Sequence, residues 1–438
     1  MEPSNVVELL DGMYGAHVRA QLGLEQARTG ETIDLYALKR NRGLRRLPRR
    51  HRRIQRGLRR AGGKRSAGGP PAMTLTGTST TNTAVRLAER TLELVDIASE
   101  SGAERDITEH VLRVLLEAGV RVRDAGDTCV LAGASRRTTR PLVLLAGHLD
   151  TVPAQENLPG LRTEETVVGL GSSDMKGGVA VMLELAIGQA TRTRGAEHPF
   201  DVGYVFFGRE ELPSSESALA PLLAREAGLR EADLAIVLEP TANAVQAGCL
   251  GNIDATWTFS GRSGHSARPW LAENAIDRAV AAIRELHARE PERELIEGLE
   301  FAQVASVTTL HAGIARNVIP GTCTANVNFR YSPRLDAAQA EGELRKTCQA
   351  HGELELLSNS EGALPPQENP LFARLLAASG APAEAKQAWT PVAEFAAAGI
   401  EAVNLGPGDP ALAHRSDEHV STAALLRAHE ILSSFLCD

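Results

Sequence analysis

From Thr83 onward apolar residues recur at steps of three and four, through AVRLAERTLELVDIA and again through ITEHVLRVLLEAG. That spacing predicts two amphipathic helices, with Gly119 as the stop of the second. After a turn-rich stretch the period changes. PLVLLAGHLDTVP is a continuous apolar run closing on polar residues, the pattern of a buried strand that delivers side chains at its C-terminal end. VVGLGSSDMKGGVAVMLELAIGQA predicts a glycine-rich loop entering a helix, and DVGYVFFGREELP and ADLAIVLEPTAN repeat the theme of a strand ending in acids. Strands alternating with helices predict an α/β layer with a largely parallel sheet, whose ligand site lies outside the strand C-termini.

Between about 248 and 358 the rhythm differs. The order is a strand NIDATWTFSG, a helix ENAIDRAVAAIRELHA, strands VASVTTLHAG and TCTANVNFRYS, a helix LDAAQAEGELRKTCQAH and a strand ELELL, which predicts a compact α+β insert. NPLFARLLAASG, VAEFAAAGI, EAVNLGPG and STAALLRAHEILSSFLC then resume the α/β pattern. The expected organisation is one α/β domain over 83–247 and 359–438, split around a second domain over 248–358. No repeat of fixed period marks a solenoid or propeller.

Residues 1–82 differ from the rest in composition. They contain LKRNRGLRRLPRRHRRIQRGLRR followed by GGPPAMTLTGTSTTN, which buries too little apolar surface to offset its ordering entropy. The expectation is a disordered basic extension, with Met73 as a candidate true start; an RNA-binding or membrane-surface arm is the functional alternative.

Composition narrows the class. The chain has 438 residues, 43% apolar and 23% charged, enough for two or more domains with substantial cores. Residues 39–65 carry fourteen Lys and Arg and no acid, so the net charge of -8 conceals an acidic body. From Ser66 onward there are 31 basic and 49 acidic residues, a net of -18, which excludes nucleic acid as the expected partner of that body. Five scattered cysteines without a C-x-x-C pair suggest neither a disulfide framework nor a thiolate metal site. No apolar run approaches membrane-spanning length and no secretory pattern opens the chain, so the expected location is the cytoplasm, away from membranes.

The polar residues at the strand ends carry the chemistry. A hydrolytic zinc needs imidazole or carboxylate ligands that converge in space while leaving a position open. His148 closes LLAGHLD, and Asp150, two positions on, points to the same side and can orient the imidazole through its other ring nitrogen. Asp174 sits in GSSDMKGG, where one carboxylate can bridge two cations. Glu210 and Glu211 end the VFFG strand and can divide the work, one binding metal and the other taking a proton from the attacking water. Glu239 ends AIVLE, and His414 in ALAHRSDEHV supplies a closing ligand. A single histidine at a strand end is more often satisfied packing, and a Glu pair more often a solvated turn. Successive strand ends that each carry His, Asp or Glu are different, because acids gathered there repel one another unless a cation offsets them.

GHLDTVP, GLGSSDMKGG, REE after a strand, LEPT, GRSGHSARP, RNVIP, NFRYSP and PGDPALAHRSDEHV, in this order, resemble the signatures of the di-zinc metallopeptidase family that includes succinyl-diaminopimelate desuccinylase, acetylornithine deacetylase and carboxypeptidase G. The resemblance runs from about residue 84 to the end. AGHLDTVP, SGRSGHSARPWLAENAI and AVNLGPGDPALAH look most like the actinobacterial-type desuccinylases within it. It implies a zinc-hydrolase catalytic domain interrupted by a ferredoxin-like lid and dimerisation domain, and two zinc ions per subunit, for which cobalt or manganese can substitute. His148 and Glu239 would hold one ion, Glu211 and His414 the other, and Asp174 would bridge them. Asp150 would orient His148, and Glu210 would be the general base. His265 would reach the partner subunit's active site of a homodimer, and Asn317, Arg330 and Thr390 would bind substrate, Arg330 through a carboxylate. Without the resemblance, His265 reads as a loop histidine and Arg330 as a surface strand charge.

The activity implied is hydrolysis of the N-succinyl amide of a diaminopimelate-like amino acid, releasing succinate in lysine and diaminopimelate synthesis. A deacetylase of the acetylornithine type, a dipeptidase or another N-acyl amino acid hydrolase shares the mechanism, and a catalytically dead binding protein is the rival from another class. One departure stands out. Related desuccinylases commonly have an acid after the Thr of a WTDVARF-like stretch, whereas WTPVAEF places Pro391 and Glu394 here, which puts substrate selectivity, and not the ligand set, in question.

Overall fold

The computed structural model describes residues 76–191 and 199–437, with side chains from residue 82; the basic run at 39–65 lies outside them. Helix α1 (Thr76–Val95) starts earlier than the apolar spacing indicated, taking in residues 76–82 of the expected extension. TGTSTTN has no periodic apolar face, so this first part follows from helix propagation off the buried stretch behind it. In α1 and α2 (Arg105–Glu117) the positions marked by the spacing are buried, among them Leu87, Leu94, Ile107, Val111 and Leu115. Gly119, in the left-handed region at φ 74°, stops α2 as expected.

The hairpin β1 (Val122–Gly126) and β2 (Cys129–Gly133) leads to β3 (Leu142–His148), every residue of which is buried. Short strands β4 (Leu161–Arg162) and β5 (Thr166–Val168) precede the glycine-rich loop and α3 (Gly177–Thr191). Then come β6 (Asp201–Phe207), α4 (Leu219–Arg225), β7 (Leu234–Val237) and β8 (Gln246–Ala247). The middle segment holds β9 (Gly251–Ser260), β10 (Gly264–His265), α5 (Ala275–His287), β11 (Glu292–Ile296), β12 (Leu299–Ala312), β13 (Val318–Ile319), β14 (Thr322–Tyr331), α6 (Ala337–Cys348) and β15 (Glu353–Ser360). The chain closes with α7 (Pro370–Ser379), β16 (Glu384–Ala385), α8 (Val392–Ala397), β17 (Ala402–Asn404), β18 (His419–Ser421) and α9 (Thr422–Cys437).

The main sheet has eight strands in the order β1-β2-β6-β3-β7-β17-β8-β16. Around its centre β3 runs parallel to β6 and β7, and β7 parallel to β17; the antiparallel pairs involve β1, β2 and β8. Side chains of β3 alternate between two cores. Val143 and Leu145 join a core with residues of α1, α2, α3 and α9, while Leu142, Leu144 and Ala146 join one with α4 and α8. Helices thus cover both faces, which is why β3 reads as an unbroken apolar run.

The second sheet is antiparallel throughout, in the order β11-β12-β14-β9-β15. Its buried face, Ile253, Ala255, Trp257 and Phe259 of β9 with Ala325, Val327 and Tyr331 of β14, packs on Ala279 and Ala282 of α5 and Leu344 of α6. The run β9-α5-β12-β14-α6-β15 has the ferredoxin-like order. Strand β11 is an addition, joined to β12 through Glu297 and Gly298 at φ 49° and 79°. The opposite face of this sheet is polar and lies along the cavity described next.

Candidate metal centre and active site

Six of the seven residues of β3 are apolar or glycine; the seventh, His148, sits at its end with no exposed surface. Its Nδ1 lies 3.1 Å from the carbonyl oxygen of Asp150. A carbonyl only accepts, so Nδ1 carries the hydrogen and Nε2 presents a lone pair. That lone pair faces carboxylates: Nε2 is 3.2 Å from Oδ1 of Asp174 and 3.7 Å from Oε1 of Glu239. Acceptors converge on an acceptor here, which is favourable only with a proton or a cation between them. In the absence of a cation the imidazole is held protonated well above its usual range: burial opposes this, but Asp150, Asp174, Glu210 and Glu239 outweigh it.

The carboxylate of Asp150 differs from the simple expectation. Its Oδ1 is 3.6 Å from Nδ1 of His148, too far for a good hydrogen bond, and the main-chain carbonyl takes that role. The carboxylate instead accepts from the amide of Glu210 (3.0 Å), the amide of Glu211 (3.0 Å) and the hydroxyl of Ser101 (2.7 Å). Burial alone would raise its carboxyl; His148, the Glu211 amide and Ser101 bring it down to about 2. Asp150 therefore ties the end of β3 to the turn after β6.

In that turn Arg209 adopts φ 58°, so the strand has ended and the two glutamates need not alternate across a pleat. Both oxygens of Glu211 lie 3.0 Å from Nε2 of His414. Glu210 has no hydrogen bond to its carboxylate among the described residues, and its carboxyl is pushed well above the ordinary range by burial and by repulsion from Glu239, Glu211 and Asp174, against the pull of His148.

Asp174 joins the two halves. Its Oδ1 faces His148 and its Oδ2 is 3.6 Å from Nε2 of His414, one imidazole for each oxygen. The loop that carries it is held by the buried Glu418, whose carboxylate accepts from the amides of Gly171 (2.9 Å), Ser173 (2.8 Å) and Asp174 (2.9 Å). Glu239 follows β7, with Oε1 buried and without a hydrogen bond among the described residues; burial first and Asp174 second raise its carboxyl to about 7. His414 stands in the left-handed region at φ 61°, and Glu211 chiefly raises its imidazole to about 9.

Two groups of three residues have ligand atoms within 4.8 Å of one another and share one member: His148, Asp174 and Glu239, and Asp174, Glu211 and His414. His148, Glu210 and Glu211 form a third such group. The donor set, nitrogen and oxygen with a buried carboxylate oxygen that has no hydrogen bond among the described residues, fits a divalent metal ion.

The cavity beside this cluster has a volume of about 440 Å³. Asp174, Glu210, Glu211, Glu239 and His414 line it together with Arg330, Thr390, Lys386, Asn252 and Asp254. Arg330 and Thr390 thus stand where substrate contacts are expected. Burial lowers the Arg330 guanidinium, opposed by Asp254. Asp254 accepts from the side-chain amides of Asn252, Asn326 and Asn328. His265 and Asn317 are elsewhere: His265 is on the small ladder of β10 and β13 and Asn317 immediately precedes β13, where its carbonyl accepts from the amide of Ser266, and neither lines the cavity. Pro391 begins α8, and Glu394 turns away from the metal cluster, its Oε1 accepting from the amide of Ala220 at the start of α4. The departure in WTPVAEF therefore falls in the packing of α8 on α4. Sequence reasoning missed Lys386, Asp254 and Glu418: Glu418 lay within a quoted motif, the alternation in NIDATWTFSG puts Asp254 on the polar face of its strand without giving it a role, and nothing in the spacing marks Lys386.

A family model described as peptidase family M20/M25/M40 matches residues 144–438. The chain is 36% identical over 356 residues to a Mycobacterium tuberculosis protein named for succinyl-diaminopimelate desuccinylase, covering 80% of this chain and 97% of that one. It is 34% identical over 359 residues to the succinyl-diaminopimelate desuccinylase of Corynebacterium glutamicum, covering 80% and 95%. An M20 family metallo-carboxypeptidase from Sulfolobus solfataricus superposes with a TM-score of 0.64 at 16% identity, over 80% of this chain and 98% of the other. A tripeptidase from Staphylococcus aureus gives 0.63 at 19% identity, over 81% and 97%. At that identity the two structures speak for the fold alone.

Proposed function

From the premise that the chain belongs to peptidase family M20/M25/M40, we propose that it hydrolyses the N-succinyl amide of a diaminopimelate-like amino acid, releasing succinate in lysine and diaminopimelate synthesis. It is a metal-dependent amidohydrolase. The observation that carries the reading is Asp174, whose two carboxylate oxygens each face a different imidazole, with Glu239 beside one and Glu211 beside the other.

In this reading His148 and Glu239 would hold one zinc and Glu211 and His414 the other, with Asp174 contributing to both, and cobalt or manganese could substitute. Two such ions supply Lewis acidity to the amide carbonyl and to the attacking water. Glu210 lies in the same cluster, its carboxylate without a hydrogen bond among the described residues, and is placed to accept a proton from that water and to deliver it to the leaving amine nitrogen. Asp150 keeps Glu210 and Glu211 in place through their amides. Arg330 takes a substrate carboxylate, and Thr390, on the same cavity wall, is the second proposed substrate contact.

The assembly belongs to the same reading. Residues 248–358 work as lid and dimerisation domain on a catalytic domain formed by 83–247 and 359–438. Beyond Gln303 the outer edge of β12 has no strand partner among the described residues, and Leu310 on that strand and Ile314 just past its end are 44% and 91% exposed. Such an edge with apolar neighbours suits a second copy of the chain. His265 and Asn317, away from their own cavity, would then serve the partner's. Among the described residues no helix is long and apolar enough to cross a membrane, which is compatible with the cytoplasmic location we propose.

The test is a panel of N-succinyl, N-acetyl and aminoacyl substrates assayed on one preparation whose metal content is measured. Succinate release from the diaminopimelate-like substrate, with two zinc ions per chain, is expected. Preferred cleavage of acetyl or aminoacyl substrates, with the succinyl amide untouched, would overturn the substrate assignment.

A further inference from the structure

The cavity holds a second cation besides Arg330. Lys386 follows the short edge strand β16 and is only 7% exposed, yet it lines the cavity alongside Asp174, Glu239 and Arg330. Its ammonium makes a single hydrogen bond among the described residues, to the carbonyl oxygen of Pro240 at 3.2 Å. An ammonium has three donors, and burying it with two unfilled is costly unless something else satisfies them. Arg330 is in a similar state: only its Nε donates, to Oδ1 of Asn328, and the rest of its fork has no hydrogen bond among the described residues. Lys386 adjoins the Glu239 side of the metal cluster, whereas Arg330 projects from the second sheet. Two cations with unfilled donors, on different walls of one cavity, match a ligand with two separate anionic groups.

We propose that Lys386 is a specificity-determining residue that holds a second substrate carboxylate, so that the site selects amides flanked by carboxylates on both sides of the scissile bond. This rests on the amidohydrolase reading above and extends it, since an N-succinyl amino acid carries both groups and an N-acetyl amino acid only one. The ammonium keeps its bond to Pro240 and places its remaining donors on one carboxylate; Arg330 takes the other. The competing role is purely local, with Lys386 offsetting the charge of Asp174 and Glu239.

The experiment uses the full-length, zinc-loaded protein and its Lys386→Met and Arg330→Met variants. Each is assayed for kcat/KM on a parent N-succinyl amino acid and on two analogues in which one or the other flanking carboxylate is replaced by a neutral carboxamide. Metal content and Tm are recorded for each variant. In the parent protein, neutralising either carboxylate is expected to lower kcat/KM by about ten- to a hundredfold, the usual cost of a charge-assisted hydrogen bond. In Lys386→Met the penalty at one carboxylate should vanish while the penalty at the other remains, and Arg330→Met should show the reverse. Equal loss by Lys386→Met on all three substrates, with lowered metal content, would show instead that Lys386 serves the metal cluster, and the proposal fails. It fails too where both variants erase the penalty at the same carboxylate, or where Lys386→Met changes nothing. A parent protein that leaves every succinyl substrate intact while cleaving N-acyl amino acids with a single carboxylate would refute both the proposed activity and the two-carboxylate selectivity, whereas the variant outcomes above refute the role of Lys386 alone.

Discussion

At the scale of single residues, the division of labour between Glu210 and Glu211 is the sharpest consequence of the geometry. Glu211 engages His414, whereas the carboxylate of the half-buried Glu210 has no hydrogen bond among the described residues and faces the cavity. Replacing Glu210 with Gln preserves its volume and removes the base, so kcat should fall by about 10² to 10⁴-fold while two metal ions per chain remain by elemental analysis. Loss of metal in that variant would make Glu210 a ligand. Glu394 allows a prediction of pH dependence. Burial raises its carboxyl from 4.5 to about 7, against the bonds from Ser217 and Ala220. A folded-state value above the unfolded one means that the contribution is most favourable below pH 4.5 and is lost as pH rises through about 7. Glu394→Gln should therefore be more stable than the parent at pH 8, by ~1–3 kcal/mol, with the difference disappearing near pH 4.5. Denaturant unfolding of the metal-free proteins at the two pH values measures it, and an equal difference at both would show that the charge is not responsible.

At the scale of elements, the ligands depend on close approach between strands and the helix that follows the glycine-rich loop. A Cβ added at Gly178, in the first turn of α3, would stand 2.4 Å from the carbonyl oxygen of Leu238, next to Glu239. Gly178→Ala should lower stability by ~1–3 kcal/mol and weaken metal binding, both readable by calorimetry. Unchanged metal affinity would mean that α3 yields without disturbing Glu239. The strands and helices with strong apolar periods, such as β3, β9, β14 and α5, were legible from the chain. The hairpin of β1 and β2 was not, nor was β11: residues such as Glu292, Arg293 and Glu294 on an outer strand leave no apolar alternation to read. Their pairing comes from neighbours distant in the sequence or from a turn at Glu297 and Gly298.

At the scale of the whole molecule, the free edge of β12 and the position of His265 make one joint prediction. Light scattering should give twice the mass of the chain, and Leu310→Lys combined with Ile314→Asp, both at exposed positions, should give a monomer with intact secondary structure. If His265 serves the partner's cavity, that monomer should lose activity by a factor similar to His265→Ala in the dimer. A fully active monomer would remove His265 from the reaction.

The amino-acid sequence by itself determined the α/β class, the α+β insert and the identity of the acids and histidines that cluster. These follow from local period and from polar residues placed where a buried strand ends, which are properties of neighbouring positions along the chain. The tertiary structure alone decided that Asp150 also braces the glutamate turn through the amides of Glu210 and Glu211, that Glu418 holds the loop of Asp174, and that Lys386 shares the cavity with Arg330. Those contacts join residues separated by tens to hundreds of positions, and no local pattern encodes which buried amide or carbonyl a distant side chain will meet.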